Sequence, residues 1–554
     1  MLEKDTTPFK TELSRFVKQN YRLLIFIFVI SSFTSVFIYF SQQYDWDILN
    51  DVIIPLKNNP GVLPGQVKTF SFLSPTLITL ASNFIDPLMF LYLVSFLSFF
   101  STFLLISLIV MKFVSKKFTI YISVIAIFCF NSLVYIILSL DDNAIPLTFI
   151  LLAILLFLNN KYILSGLSSG LALSFHLQSS IVIVAIILTI FILSEKKFLR
   201  LRLFQYILSF FSVYIVFFAL YLLLKVNSNP VFNDFSLFIS NDQWSLLSNN
   251  DALSSRFILQ WLLNKFLIGM ISMIMPVLDS FSEFNFLIVI VYGFIVFLFF
   301  LILLTVLICM ILILKKSTNS TNITYNSGIN KPELKSLVLI ALFVFIFTFI
   351  SNFLYDGASK ERWVNLVLII IPTFIIIINS VEIHIANIHP IRYIKISFLI
   401  LLISAGLGNG IIQIFSATGE LSFPHKPTNT DPIFNINDEH MILEYTKESS
   451  LVIFGSMNYY GMVSYYRSSN TIYLEQSGSN DYVGVLWNSS LKSMVVLSSP
   501  MINQMINFDL KMNETVFIHS SALRDMKLKP NNYEIDLYEH LNQYSSLYII
   551  HLMK

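Results

Sequence analysis

Apolar and polar positions alternate along this chain in long blocks rather than at the short periods of a soluble domain. The first block is LLIFIFVISSFTSVFIYF (23–40), and it is followed at once by the acidic stretch YDWDILND (44–51). A helix that crosses a bilayer needs about 20 apolar residues, fewer where local geometry is unusual. The pattern predicts about eleven such helices, over 23–40, 88–111, 118–139, 144–159, 162–175, 177–194, 203–224, 285–314, 336–354, 363–381 and 394–416. The apolar stretch 258–278 is broken by Asn264, Lys265 and Pro276 and is expected to be interfacial or re-entrant. Beyond 416 the blocks end. Residues 417–554 are polar, rich in Tyr and Ser, and carry short strand-like runs: SLVIFGS, NTIYLEQ, YVGVLW, MVVLSS and ETVFIHS. The expected fold is therefore an all-α polytopic membrane bundle over 23–416, with a C-terminal soluble domain, α/β or mostly β, over 417–554.

Basic residues orient the bundle, because loops on the cytoplasmic side carry the excess of Lys and Arg. With the N-terminal segment 1–22 inside, the inner segments hold Lys4, Lys10, Arg15, Lys18 and Arg22; Lys112, Lys116 and Lys117; Lys161; Lys196, Lys197, Arg200 and Arg202; Lys315, Lys316, Lys331 and Lys335; and Arg392 with Lys395. The outer segments hold only Lys57, Lys68, Lys225, Arg256, Lys265, Lys360 and Arg362. A crossing at 258–278 would put Lys315 and Lys316 outside. Because Lys161 and the 196–202 cluster are both inner, 162–194 must cross twice, with a turn at Phe175-His176-Leu177-Gln178. Half-helices this short are tolerated where protein buries them. This topology gives a first outer loop over 41–87, an outer loop over 225–284, a polar inner linker over 315–335 and an extracytoplasmic C-terminal domain. The sequons at Asn488 and Asn513 then face out, and those at Asn319 and Asn322 face in.

Composition agrees. The chain is 56% hydrophobic and 12% charged, with 54 Phe among its 554 residues, against roughly 25% charge in a soluble globular protein. The net charge of +2 decides nothing; a nucleic-acid partner would need a basic patch, and the sequence shows none. Cys129 and Cys309 lie inside apolar runs and read as small hydrophobes. The N-terminus is too long and too charged before its apolar run for a cleaved signal, so the first run reads as a span. The protein is expected in the plasma membrane or an ER-equivalent membrane.

The topology collects the ionisable groups of the membrane boundary on the outer face. Asp45, Asp47 and Asp51 are there, with Asp141 and Asp142, His176, Asp234, Asp242, Asp251, Asp356, Lys360, Glu361 and Arg362. Charged residues at this depth are costly and are functional candidates by default. Asp-Trp-Asp can supply a general base, bind a cation, or both. Plainer roles stand beside each: Asp45 or Asp47 can cap a helix starting at Ile48, Tyr44 and Trp46 fit an interfacial aromatic belt, His176 can satisfy a turn, Asp141 and Asp142 can be loop residues, and Arg362 can pair with Glu361 or lipid headgroups.

The order of these features resembles the GT-C superfamily of integral membrane glycosyltransferases, which includes the GPI mannosyltransferases, protein O-mannosyltransferases and lipid A aminoarabinose transferases. Asp45-Trp46-Asp47 is similar to the family's acidic motif in the first outer loop. SPTLITLASNF (74–84) lies where the family has a Pro-containing helix leading into the second span. Asp142 in SLDDNAIPLTFILLAILLFL, the segment NNKYILSGLSSGLALSFHLQSSIVIV (159–184) with His176, and KERWVNLVLIIIP (360–372) are similar to its later motifs. The first loop departs from the Asp-Glu form of the aminoarabinose and O-mannosyl branches. The resemblance implies a sugar donor on a polyprenyl phosphate and transfer to an acceptor hydroxyl on the outer face, with inversion. It implies Asp47 or Asp45 as the base, and Arg362, His176, Lys360, Glu361 and Asp142 around the donor's phosphate and sugar. A divalent metal, Mg2+ or Mn2+, is the candidate cofactor, with Asp45 and Asp47 as its ligands. The implied acceptor is a lipid, a glycan or a protein. The competing readings are a polysaccharide polymerase or O-antigen ligase, which would place a large Arg-rich outer loop late in the bundle, and a multi-pass transporter, which would show paired broken helices.

Overall fold

The computed structural model describes residues 17–32, 43–44, 53, 56–57, 60–61, 72–114, 117–128, 139–140, 144–176, 179–226, 304, 307–311, 313–314, 321–325, 330–354, 359–385, 436–446, 450–455, 463, 471–477, 481–488, 493–512, 514–520, 522, 533–541 and 546–552. The bundle helices are α1 (17–32), α2 (Leu73–Ala81), α3 (Pro87–Phe113), α4 (Lys117–Phe128), α5 (Ala144–Leu158), α6 (Tyr162–Phe175), α7 (Ser180–Leu193), α8 (Lys196–Val226), α9 (Lys331–Leu354) and α10 (Ser359–Ser380). Four short strands join them: β1 (Gln43–Tyr44), β2 (Ser139–Leu140), β3 (Thr321–Tyr325) and β4 (Val381–Ile385). The stretch 258–278, expected to be interfacial or re-entrant, the expected crossing 394–416, and all of 285–314 except 304, 307–311 and 313–314 lie outside the described residues. Among the described residues, Pro87–Phe113 and Lys197–Leu223 are each long and apolar enough to cross a bilayer alone, and five further apolar helices are shorter.

Local chemistry sets the ends of these helices. At α3 the Asp86 side chain accepts from the amides of Leu88 and Met89, and Pro87 fills the first helical position, a position whose missing N–H is no loss. The α5–α6 turn closes through Asn160, whose φ of 58° is left-handed, a conformation Asn tolerates; the Lys161 amide then reaches back to the Leu156 carbonyl at 2.9 Å. Several buried hydroxyls inside the bundle are satisfied by the backbone. Ser107, Ser123, Ser174, Thr189 and Thr373 each donate to the carbonyl four residues earlier, which satisfies them within their own helix.

Side-chain contacts fix the helix directions. Thr102 meets Thr148 at 3.1 Å and Lys112 donates to Asn159 at 2.7 Å, so α3 and α5 run parallel. Ser165 donates to the Ala153 carbonyl across the α5–α6 hairpin. Along α6 and α8, Ser169 pairs with Tyr206 at 2.7 Å, and Arg202 stacks on Tyr162, so these two also run parallel. Gly166 and Gly170 form the seam. A Cβ on Gly166 would meet Ser209 Oγ and the Tyr206 carbonyl oxygen, and one on Gly170 would lie 2.6 Å from the Phe210 carbonyl oxygen. This is the small-xxx-small contact by which membrane helices approach closely.

Further contacts gather several helix ends at one end of the bundle. Lys112 at the end of α3 also pairs with Glu333 at the start of α9, at 3.0 Å. β3 pairs antiparallel with β4, Thr321 opposite Ile385, so the polar stretch 315–335 contains a strand and the chain enters α9 and leaves α10 on one side of the bundle. That places Lys112, Lys161, Lys197, Arg200, Arg202, Lys331 and Lys335 at one end, as the basic residues in the sequence require.

The C-terminal residues form a separate core. Strands β5 (Leu451–Phe454), β6 (Thr471–Ser477), β7 (Asp481–Asn488), β8 (Ser493–Ser498), β9 (Val516–His519), β10 (Tyr533–His540) and β11 (Ser546–Leu552) make one sheet in the order β10-β11-β9-β5-β6-β7-β8. β5 is parallel to β6 and β9, and the other pairs are antiparallel. Period-two alternation splits β5 between two faces. Leu451 and Ile453 pack with Ile502 and Ile506 of α12 (Ser499–Lys511), while Val452 and Phe454 pack with Ile442 of α11 (Ile436–Tyr445). The domain is thus α/β, a mixed sheet between two helices, rather than mostly β.

Candidate active site

The site is built at the end of the bundle opposite Lys112. β1 lies parallel to β2, Gln43 opposite Ser139 and Tyr44 opposite Leu140. Each strand stops immediately before an acidic motif: Asp45-Trp46-Asp47 follows Tyr44, and Asp141-Asp142 follows Leu140. Asp45, Asp47, Asp51, Asp141 and Asp142 lie outside the described residues. Their chain neighbours are nonetheless paired strands, which stand about 4.8 Å apart, and a peptide step adds at most about 3.8 Å on each side. Among the described residues, Tyr44 and Leu140, which precede the two motifs, are register partners.

An aromatic floor collects elements of the first loop and three helices. Phe72 and Leu73 of the first loop, Ile145 at the start of α5, Phe175 at the end of α6 and Tyr221 near the end of α8 form one buried cluster. Phe149 stacks on Phe175 with ring centroids 5.5 Å apart and planes 10° from parallel. Phe72 sits 5.5 Å from each of Tyr214, Phe218 and Tyr221. Ring pairs of this kind are worth about 0.5–1.5 kcal/mol beyond their buried area, so the first loop is anchored to three helix ends by rigid contacts. Gly61, at φ +76°, donates its amide to Ser82 Oγ at 2.9 Å, which folds the middle of the loop back onto the α2–α3 junction.

His176 follows Phe175 directly. Its amide closes α6 on the Ala172 carbonyl at 3.0 Å, and its carbonyl accepts from the Ser179 amide at 3.1 Å. These two bonds lie where a turn between two short helices is expected; Leu177 and Gln178 of that turn lie outside the described residues. Lys360, Glu361 and Arg362 occupy the first turn of α10. Since α10 ends at the β3–β4 pair, on the side of Lys112, that first turn belongs to the opposite end of the bundle. One outer acid was not singled out from the sequence: Asp86 is a helix cap, and the Asp-Pro pair was its legible signal. Of the aromatic segment YYGMVSYYR (459–467), only Val463 is among the described residues, and it is buried. No group of three His, Cys, Asp or Glu side chains converges among the described residues.

The described residues thus form a bundle of apolar helices, several of them short and paired, followed by a C-terminal α/β domain. No protein-family model matches the chain, and no curated protein matches it in sequence. The chain resembles a solved structure, the crystal structure of ArnT from Cupriavidus metallidurans bound to undecaprenyl phosphate. The two folds agree with a TM-score of 0.52 over 97% of this chain and 98% of that one, at 8% sequence identity. The likeness is one of fold, and it extends through both the bundle and the terminal domain.

Proposed function

We propose that this chain is a GT-C-type glycosyltransferase that moves a sugar from a polyprenyl-phosphate donor to an acceptor on the outer face of the membrane. The observation that carries the reading is the fold likeness, nearly end to end, to a protein whose structure holds undecaprenyl phosphate. The parallel β1–β2 pair supports the location of the site. In the reaction proposed, the Asp47 carboxylate, or Asp45 beside it, takes the proton of the acceptor hydroxyl while that oxygen attacks the anomeric carbon. The bond from the anomeric carbon to the phosphate oxygen breaks, its electron pair leaves on the phosphate, and configuration inverts. The departing charge needs positive donors at the boundary, the role given to Arg362, His176 and Lys360. Asp142 and Glu361 orient the sugar hydroxyls. Asp45 and Asp47 are hard oxygen donors of the kind Mg2+ or Mn2+ takes, and a bound ion would supply charge neutralisation at the phosphate.

The test is transfer of radiolabelled sugar from a panel of polyprenyl-phosphate donors in membranes that carry the wild type, Asp45→Asn or Asp47→Asn at matched expression. Removing a general base costs about 10²–10⁴ in rate. One of the two single variants is expected to lose that much, and full activity in both would sink the assignment of the base.

A further inference from the structure

The inner end of α6 and α8 carries positive charge that the fold does not use. Lys112, on the same end, is neutralised by Glu333 and Asn159. Arg202 is held between two rings, 5.4 Å from the centre of Tyr162 and 5.6 Å from that of Phe198, and donates to Ser194 Oγ at 3.5 Å. Lys161, Lys197 and Arg200 differ. All three are exposed, and none meets a carboxylate among the described residues; the one acid beside them in the chain is Glu195, itself exposed. Lys197 lies 5.6 Å over the Phe198 ring.

These cations stand at the head of an apolar track. Along α8, Lys197 is followed by Leu201, Phe204, Leu208, Phe211 and Ile215 at steps of four and three, the spacing of one helix face. Every apolar member of that series is more than half exposed, Phe204 at 62%. Only 22% of the α8 membrane window is buried by protein, against 56% for α3, so among the described residues α8 is the less covered of these two helices. A charged group at the water boundary in line with an uncovered apolar stripe is complementary to one kind of molecule, an anion with long hydrocarbon chains.

We propose that Lys161, Lys197 and Arg200 form a binding site for the headgroup of an anionic phospholipid of the inner leaflet, with its acyl chains along the Leu201–Ile215 face of α8. Arg202, fixed by its rings and Ser194, keeps the end of α8 positively charged without collapsing onto the site. The inference needs only that the bundle spans a membrane. It does not depend on sugar transfer, so a chain inactive with every donor would still be expected to hold the lipid.

The experiment uses the full chain in neutral detergent, titrated with dioctanoyl phosphatidylglycerol, dioctanoyl phosphatidylcholine or glycerol 1-phosphate, with binding read by thermophoresis. Each basic residue near a membrane surface contributes on the order of 5-fold in affinity for anionic lipid. The expected result is saturable binding of phosphatidylglycerol, weakened on the order of 100-fold in the Lys161→Gln/Lys197→Gln/Arg200→Gln variant, with phosphatidylcholine and glycerol 1-phosphate binding far more weakly. All three residues are exposed, so the variant's thermal unfolding midpoint without lipid should match the wild type; Arg200→Lys, which keeps the charge, should retain binding. Equal binding of phosphatidylcholine, an unaffected triple variant, or glycerol 1-phosphate binding as tightly as the lipid would overturn the proposal.

Discussion

Replacing Gly166 by alanine reverses the usual sign of a helix substitution. In an uncrowded helix interior, Gly→Ala stabilises by about 1 kcal/mol, because the glycine backbone has more freedom to lose. At Gly166 the added methyl would collide with Ser209 Oγ, which can rotate, and with the Tyr206 carbonyl oxygen, which cannot. α6 and α8 must then separate. Separation strains the packing along Gly170 and stretches the buried Ser169···Tyr206 bond at 2.7 Å. Overpacking costs about 1–3 kcal/mol, and a helix–helix hydrogen bond in a membrane is worth about 0.6–1.7 kcal/mol. After the propensity gain is set against these, the expected net effect is a loss of about 1–3 kcal/mol. The assay is reversible unfolding in mixed micelles titrated with sodium dodecyl sulfate. Ser169→Ala in both backgrounds closes a double-mutant cycle: its cost should shrink in the Gly166→Ala protein, where the bond is already stretched. Because Phe175 and His176 are at the outer end of α6, transfer activity should fall together with stability. A Gly166→Ala protein that is more stable than the wild type would refute the close seam.

Other outcomes follow from single contacts. Proline at Gln43 and Tyr44 together removes the β1 amides from the β1–β2 pair; transfer should fall as far as in the Asp47→Asn protein while expression is retained, as judged by blotting of membranes. Lys112→Met leaves Glu333 facing a half-buried site without its partner, and should destabilise the bundle by about 1–3 kcal/mol, whereas the Lys112→Met/Glu333→Gln double variant should recover part of that loss in the same unfolding assay. Burial, and secondly the Glu514 carboxylate, hold the Asp509 carboxyl above the ordinary carboxylate range. The folded state therefore keeps that proton more tightly than the unfolded state, so this group's contribution is full below the unfolded value and is lost as pH rises through the folded one. Asp509→Asn should raise the thermal midpoint of the C-terminal domain near neutral pH and flatten its pH dependence, as read by differential scanning of the full chain.

What the sequence disclosed follows from the physics that wrote it. Lipid imposes length and apolarity on a helix, so α6 lies at 162–175 as expected, and α3, α7 and α10 lie within a few residues of their expected ranges. Positive charge imposes sidedness, and the structure gathers Lys112, Glu333, Tyr162 and Arg202 at one end. The runs SLVIFGS, NTIYLEQ, YVGVLW, MVVLSS and ETVFIHS became β5 to β9. The order of those strands was not legible, because it depends on the long crossover through α12, which no local pattern encodes. β10 and β11 escaped notice; β10 (YEIDLYEH) carries three carboxylates and a histidine among its apolar residues. The β1–β2 pair is the larger omission. Two residues per strand leave no periodicity to read, and the partners are far apart in the chain. That contact sets the residues before Asp45 and Asp141 side by side, which no local pattern discloses. Asp86, by contrast, was a legible cap.

The central claim is best tested by measuring transfer of label from polyprenyl-phosphate sugars in membranes that carry the wild type or the Asp45→Asn/Asp47→Asn double variant. The account predicts transfer by the wild type from at least one donor, and its loss in the double variant at equal expression. Equal transfer by both proteins, or none by the wild type from any donor, would contradict it.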